Sequence, residues 1–599
     1  MRSHFPKCLP RLKYCGLLLI ASALIGCQST PSEQPKPTQT PTVQQPKETL
    51  QPQVLPGVLA PEFMEAELQL LRFDWMAASA ILDTLPVLGL SALDIRHLHY
   101  LQARILYLRG DAVAASEQIK WLAMSTPKSA IADKIMNFRR YMLSLSGNYL
   151  ESARLGDSIL TSTRPPEARR VLMRSIWKDL HRLTIDQLQS ASGASTDDQW
   201  SGWLELAQLA AMPLSNPGRA SAITRWRSNN AHHPAAITLP GGLIYALEQP
   251  VAIDRVSLLL PLSGRLAPAA KAILDGYLSS YYAATAHHEV EVLDITAYDS
   301  VLDAYQTAVA GGSNLVVGPL SKQSVEILAS WPGRSVAVIA LNRIDKALPV
   351  TSTALVQLSL APEDEAEQIA ELAFGRGDRR ALVIRPSGSW GEKMESALSR
   401  QWTELGGTIV TTASYTGQED YSSNIKSALN LPESEQRARS IRRLLATNVE
   451  FTARRRQDVD AVFMLSKSGT EARSLKPLLA YHYAANLPVY ATSSIYHGTP
   501  DQRDRDLNGI NLVEIPWLLG ANTSTRAAIT KGGTGSDNYA RLNALGADAF
   551  LLQSSFSQLQ AGPDTLIRGS TGLLTLNPQL HVRRELLPAT FDRGELAAQ

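Results

Sequence analysis

Few side chains in this 599-residue chain combine the type and the spacing that covalent chemistry needs. A zinc hydrolase would show His-Glu-x-x-His on one helix face. A serine hydrolase would show Gly-x-Ser-x-Gly at a strand-to-helix turn, and a phosphate loop a glycine run closing on Lys and Ser or Thr. None of the three occurs. The glycine-rich run Lys531-Gly532-Gly533-Thr534-Gly535-Ser536 puts its lysine first and reads as a surface loop. The run His232-His233-Pro234 reads as a loop too, and no second ligand pair accompanies it at zinc spacing. Paired carboxylates for glycan hydrolysis are defined by separation in space, which spacing along a chain does not give. The expectation is no catalytic set, no metal site and no cofactor.

What remains is the chemistry of attachment and docking. Three cysteines are present, and Cys8 and Cys15 fall in a segment with a cationic start and an apolar stretch from Gly16 to Ile25. Residues 1–26 read as a secretory signal, too short to serve as a permanent membrane anchor. Its end, Leu24-Ile25-Gly26-Cys27, resembles the bacterial lipobox, which makes the Cys27 thiol the expected lipidation site. Several acyl chains anchor a protein stably, at about 0.8 kcal/mol per buried methylene. Gln28 rather than Asp follows, which by resemblance to sorted lipoproteins implies the outer membrane, on its periplasmic side. A second candidate is basic: Arg442, Arg443, Arg454, Arg455 and Arg456, with Arg437 and Arg439 close by. It reads either as a solvated helix face or as a docking surface for an acidic partner patch, where charge speeds encounter.

The elements that position these groups follow from composition and periodicity. The formal charge of +2 includes Arg2, Lys7, Arg11 and Lys13; without those four cations, and with no acid lost, it becomes −2. That balance does not suggest a nucleic-acid partner. Residues 27–60 hold the candidate lipidated cysteine and a Pro-, Gln- and Thr-rich stretch that cannot bury enough surface to fold. It reads as a tether, either a passive spacer or a reach of roughly 100 Å at about 3.1 Å per residue. Residues 61–250 have helical periodicity and a weak repeat. Asp74, Asp111 and Asn148 stand 37 residues apart, each followed by small residues four and five positions on, as in tetratricopeptide-like helix pairs. Trp200, Trp203 and Trp226 read as core, and so does Trp517. From Arg255 the pattern becomes strand, turn, helix: an apolar run to Leu260, the turn Pro261-Leu262-Ser263-Gly264, then two apolar rows on one helix face. A second such series begins at Ala381, so residues 251–599 read as a bilobed, doubly wound α/β domain. The expected fold class is multidomain, α followed by α/β.

Ligands of doubly wound folds sit at the carboxyl ends of the strands. Leu259-Leu260-Pro261-Leu262-Ser263-Gly264, Val316-Val317-Gly318-Pro319-Leu320-Ser321 and Gly572-Leu573-Leu574-Thr575-Leu576-Asn577 resemble type I periplasmic binding proteins. That resemblance makes Ser263, Ser321, Asn342, Ser389 and Trp390 candidate cleft residues. Asn342 and Arg343 depart from the small residues usual at that strand end, so an occupied pocket and a filled one both stay open. Further runs are Arg454 to Ala461, Pro488 to Ser494, Asp506 to Ile510 and Ile515 to Leu519. Together they resemble the LppC/LpoA family of gammaproteobacterial lipoproteins. The resemblance implies a non-enzymatic partner of a class A penicillin-binding protein, a bifunctional peptidoglycan synthase, stimulating its transpeptidase from the outer membrane. The other reading is a solute-binding lipoprotein that transports or senses an amino acid or peptide.

Overall fold

A computed structural model describes residues 60–599 apart from 86–89, 164, 213–217, 249–250, 347–352, 448–449, 521–522 and 532–538. Cys27, the signal segment, the tether up to residue 59 and most of the Lys531–Ser536 run lie outside the described residues.

The helical part begins with three helix pairs: Ala60–Leu71 with Trp75–Asp83, Ala92–Arg109 with Ala112–Ser125, and Ala130–Leu145 with Tyr149–Leu160. Each pair turns on a residue in the left-handed region, Phe73, Gly110 or Gly147, at φ of 61°, 100° and 83°. The next residue caps the second helix. Asp74 accepts from the Ala77 N–H at 2.9 Å and Asp111 from that of Ala114 at 3.2 Å, which satisfies an otherwise orphaned donor. Asn148 instead donates to Ser146 Oγ. Ala78, Ala115 and Ser152, four residues past each cap, are fully buried, so the helices of a pair approach closely. Helices from Pro166–His181 to Leu243–Glu248 continue the stack around buried Trp177, Trp200, Trp203 and Trp226. His232 and His233 lie in the turn before the short helix Pro234–Ile237, as expected, and His233 is buried there. Its Nδ1 accepts from the Ala235 N–H, capping that helix, and Nε2 meets the Gln199 carbonyl at 2.9 Å.

Two parallel-cored sheets follow. Lobe 1 contains β1 (Arg255–Leu260), β2 (Glu289–Asp294), β3 (Leu315–Val317), β4 (Ala337–Ala340) and β5 (Leu355–Gln357), in the order β2-β1-β3-β4-β5. Lobe 2 contains β6 (Arg380–Pro386), β7 (Thr408–Tyr415), β8 (Ala461–Met464), β9 (Val489–Ala491) and β10 (Ile510–Glu514). The chain then returns to lobe 1, where the helix Ala540–Ser554 packs on Ala267–Ala283. A small antiparallel sheet, β11 (Ile567–Arg568), β12 (Leu573–Leu576) and β13 (Val582–Glu585), leads back to lobe 2. There β14 (Leu587–Asp592) and β15 (Glu595–Ala598) pair antiparallel on its edge, giving β15-β14-β10-β9-β8-β6-β7. This is the bilobed, periplasmic-binding-protein-like α/β architecture, with the chain crossing between lobes at three places.

The two parts expected as successive domains share their cores. One apolar cluster runs from Phe63, Leu101, Tyr107 and Ile135 of the helix pairs into Ala366, Phe374, Leu398 and Trp402 of lobe 2. A second joins Trp177, Leu180 and Leu243 to Leu566 and Leu573 beside the antiparallel sheet. The described residues from Ala60 to Gln599 belong to one compact unit.

Candidate functional site

Side-chain pairs join the loop after β4 to the lobe 2 helices Pro362–Gly375 and Ser389–Leu405, so the two lobes meet beside the end of β4. Ser263 is exposed, and its hydroxyl pairs with Thr296 Oγ1 at 2.6 Å on its own lobe. Ser321 caps the helix Lys322–Ser330, accepting from the Ser324 N–H at 3.0 Å and donating to Ser324 Oγ at 2.7 Å. Asn342 donates to the Leu320 carbonyl and accepts from the Arg343 N–H, both at 2.9 Å. Ser389 is exposed at the first turn of the helix Ser389–Leu405. Trp390 is half-buried against the lobe 2 core, with Lys467 Nζ 5.8 Å from its ring centroid. Ser263, Ser321 and Asn342 thus bond within lobe 1, and Ser389 and Trp390 stand on a lobe 2 helix. Asn342 and Ser321 are occupied in holding strand ends and a helix start.

Arg343 reaches across instead. Its Nη1 donates to Asp364 Oδ1 at 2.8 Å, on the helix Pro362–Gly375, which packs on Ser389–Leu405 and so belongs to lobe 2. Burial lowers the Arg343 pKa, but the Asp364 carboxylate outweighs it and the guanidinium is held above its ordinary value. A second bridge joins Lys393 Nζ of lobe 2 to Asp345 Oδ2 of lobe 1 at 3.1 Å and to Glu363 Oε1 at 2.7 Å. The hydrogen bond to Glu363 leads in raising the Lys393 pKa. Nearer the crossovers, Glu514 at the end of β10 is fully buried and paired with Arg541 of the lobe 1 helix Ala540–Ser554. Sequence reasoning marked Arg343 as a large residue filling the strand end. It missed the bridges, because partners 21 to 48 residues away leave no periodic trace.

The basic cluster divides. Arg455 is 9% exposed and donates to the Tyr483 and Arg456 carbonyls and to Asn486 Oδ1, so it is a buried structural arginine and not a docking group. Arg456 is tied to Asp458 at 2.7 Å. Arg454 is exposed, and its N–H holds Ser434 Oγ near the start of the helix Leu431–Leu445. Arg442 and Arg443 are exposed at the other end of that helix, about 12 Å along it at 1.5 Å per residue.

One pair has a nucleophile–base distance: Ser422 Oγ lies 2.9 Å from His482 Nε2. Among the described residues no carboxylate hydrogen-bonds the other ring nitrogen, so the orienting group of a triad is missing. Among the described residues no group of three or more His, Cys, Asp or Glu is arranged to hold a metal ion, and no helix is long and apolar enough to cross a membrane.

The family model described as "LppC putative lipoprotein" matches residues 62–594. A Photobacterium profundum protein named penicillin-binding protein activator LpoA is 27% identical over 525 residues, covering 86% of this chain and 85% of its own length. The Vibrio antiquarius protein of that name is 30% identical over 446 residues, 72% of each chain. That of Aliivibrio fischeri is 27% identical over 588 residues, 95% of each. Among solved structures, full-length LpoA from Haemophilus influenzae superposes with a TM-score of 0.51 at 22% identity, covering 90% of this chain and 94% of that one. At that identity the likeness speaks to the fold.

Proposed function

The chain belongs to the LppC lipoprotein family, and from that premise we propose that it regulates a penicillin-binding protein by direct contact. In the finer form of this reading, it is anchored to the outer membrane through Cys27, binds a class A penicillin-binding protein and stimulates its transpeptidase activity. The observation that carries the proposal is the shared name, penicillin-binding protein activator, of relatives aligned over 86% and 95% of this chain. Two features of the molecule agree with it. Among the described residues the Ser422–His482 pair has no carboxylate on its other ring nitrogen, and ion pairs join the two lobes through Arg343–Asp364 and Lys393–Asp345. Stimulation requires that this protein bind the active conformation of the synthase better than the inactive one, since equal affinity for both shifts nothing. The tether then lets a body held at one membrane reach an enzyme held at the other.

The test mixes the protein from Gln28 onward with a purified class A penicillin-binding protein and lipid-linked substrate. Glycan polymer and cross-linked peptide are quantified separately. A rise in cross-linking beyond any rise in polymer is expected. Binding without that rise leaves a regulator of another kind, and no binding removes the reading.

A further inference from the structure

Arg584, on the inward face of β13, is fully buried, and none of its three guanidinium nitrogens has a hydrogen-bond partner among the described residues. The backbone on either side is held in place. Gln368 of the helix Pro362–Gly375 donates to the Arg584 carbonyl at 2.9 Å and accepts from the Leu586 N–H at 2.8 Å. Asp364 and Glu365 stand four and three residues before Gln368, so the same helix face brings their carboxyls toward β13. Burial pulls the Arg584 pKa down, and Glu365, Asp364, Asp548 and Glu514, in that order, oppose it. The guanidinium thus has opposite charges near it and no bond to any of them, because each acid is held by another group. Asp364 Oδ1 takes Arg343, and Glu365 Oε2 takes the Ser493 N–H at 2.9 Å. Glu514 takes Arg541, and Asp548 takes the Ser570 and Thr571 N–H groups. Three more buried polar atoms without a partner lie along the neighbouring crossover: Gln357 Nε2, Ser359 Oγ and Asp364 Oδ2. That crossover, from β5 into the helix Pro362–Gly375, is tied to the one carrying Arg584 by the Gln357 N–H, which donates to the Leu580 carbonyl at 2.8 Å. Buried donors and acceptors that do not meet are costly, a guanidinium most of all, unless something small serves both.

We propose that ordered water is built into the place where these crossovers meet, bridging the Arg584 guanidinium to Asp364 Oδ2 and Glu365. Five N–H donors, and waters that make about three hydrogen bonds each, call for about three molecules. What selects water is that unpaired donors and acceptors share one place. An oxyanion would satisfy the guanidinium alone and would meet Asp364 and Glu365 as like charges. A cation would meet the arginine's own charge, and among the described residues no group of three or more His, Cys, Asp or Glu is arranged to hold a metal ion. An amino acid would match both kinds of group, but Arg584 and its four acids are 0% to 7% exposed. The Arg343–Asp364 and Lys393–Asp345 pairs join the lobes there as well. Water donates and accepts through one atom, and a bridging water is nearly as favourable as a direct hydrogen bond. The inference is independent of the functional reading above.

The test is a crystal structure of the protein from Gln28 onward, joined to oxygen-17 water relaxation dispersion, which counts long-lived internal waters in solution. Ordered waters are expected within hydrogen-bond distance of the three guanidinium nitrogens, shared with Asp364 Oδ2 or Glu365. Arg584→Met puts an apolar chain of similar length in the same place, so the long-lived count should fall by about three. Arg583→Met, on the outward face of β13, should leave the count unchanged. A guanidinium paired directly with Glu365 or Asp364 in the crystal overturns the proposal. An amino acid or other solute in that place overturns it too, and native mass spectrometry would register such a molecule as added mass on the purified protein. A count unchanged in folded Arg584→Met is the third refuting result. If that variant does not fold, the crystal structure of the parent decides.

Discussion

Glu585, at the end of β13, joins the helical part to the sheet between the lobes, and its removal has a calculable effect. Its Oε2 lies 2.8 Å from Lys178 Nζ, and its Oε1 is paired with Arg182, both on or just past the helix Pro166–His181. Burial by itself raises the carboxyl pKa, but Arg182 and Lys178 outweigh it and hold the group at about 2, against an ordinary 4.5. A depressed carboxyl stabilises the fold above its unfolded pKa, and that contribution is lost as pH falls through the folded one. The separation corresponds to about 3 kcal/mol at pH 7, about 2.5 at pH 4 and about 1.5 at pH 3. The substitution Glu585→Gln keeps the shape and removes the charge, so it should cost close to those amounts. Arg182 retains Ser144 Oγ at 3.0 Å and Asp179 at 3.3 Å, which makes the figures upper values. The assay is urea unfolding of parent and variant at pH 7, 5, 4 and 3. The difference should be flat from pH 7 to 5 and shrink below it. A difference under about 1 kcal/mol at pH 7, or one that does not change with pH, would refute the assignment of this bridge as a principal tie.

Other outcomes follow from the same geometry. Glu67 is bonded by His97 Nε2 at 2.8 Å and by Lys134 Nζ at 2.7 Å; burial opposes, yet its pKa is held at about 2. Glu67→Gln should therefore loosen the first three helix pairs at neutral pH, read as faster amide exchange around His97 and Lys134, with the excess vanishing between pH 4.5 and 2. Arg379 lies 3.6 Å from the Phe374 ring centroid and 4.9 Å from that of Tyr107, and donates to both backbone carbonyls. Arg379→Ala should cost about 2–3 kcal/mol in denaturant unfolding, and Arg379→Lys should recover little, because a point charge cannot stack and fork at once. Arg343→Ala with Lys393→Ala should raise amide exchange only near residues 341–346 and 362–366. The small-angle X-ray scattering profile should stay unchanged, and a larger radius of gyration would mean that those bridges alone hold the lobes.

The repeat at Asp74, Asp111 and Asn148 was legible because a helix-pair turn is a local event: a left-handed residue, a cap and a small residue a turn later. The parallel strands were legible for the same reason, as short apolar runs closed by turn residues. What the turns rest on was not. A Cβ on Gly406 would meet the Phe73 ring at 2.7 Å, one on Gly110 the Gly377 carbonyl at 2.7 Å, and one on Gly375 the Leu145 carbonyl at 2.4 Å. Successive turns of the stack press against lobe 2 through these glycines, between residues more than two hundred positions apart. Phe73 stands where its counterparts are glycines, at a φ of 61° that disfavours a side chain, and its ring fills the space that Gly406 leaves. The candidate sites failed in the same way. Arg455 and Arg456 look alike in a row of three arginines, and only the tertiary neighbours Tyr483 and Asn486 turn the first inward.

These contacts bear on what a binding-protein fold does here. A clamshell that closes on a solute needs its two lobes tied only by crossover strands, free to rotate about them. In this molecule the first helix pairs are continuous with the lobe 2 core. The later helices grip the sheet between the lobes through Leu566 and Leu573, Glu585 and the carbonyls of Leu180 and Leu183, which Arg568 bonds. That sheet is itself continuous with lobe 1 through Ile567, Leu574 and Leu576. Rotation of one lobe against the other therefore has to shear the helical stack between Ala130–Leu145 and Pro166–His181, breaking buried packing rather than turning a hinge. A protein interior resists such shear because close-packed side chains have few intermediate arrangements. The same construction suits a regulator that works by contact. A rigid surface loses little conformational freedom when a partner is bound.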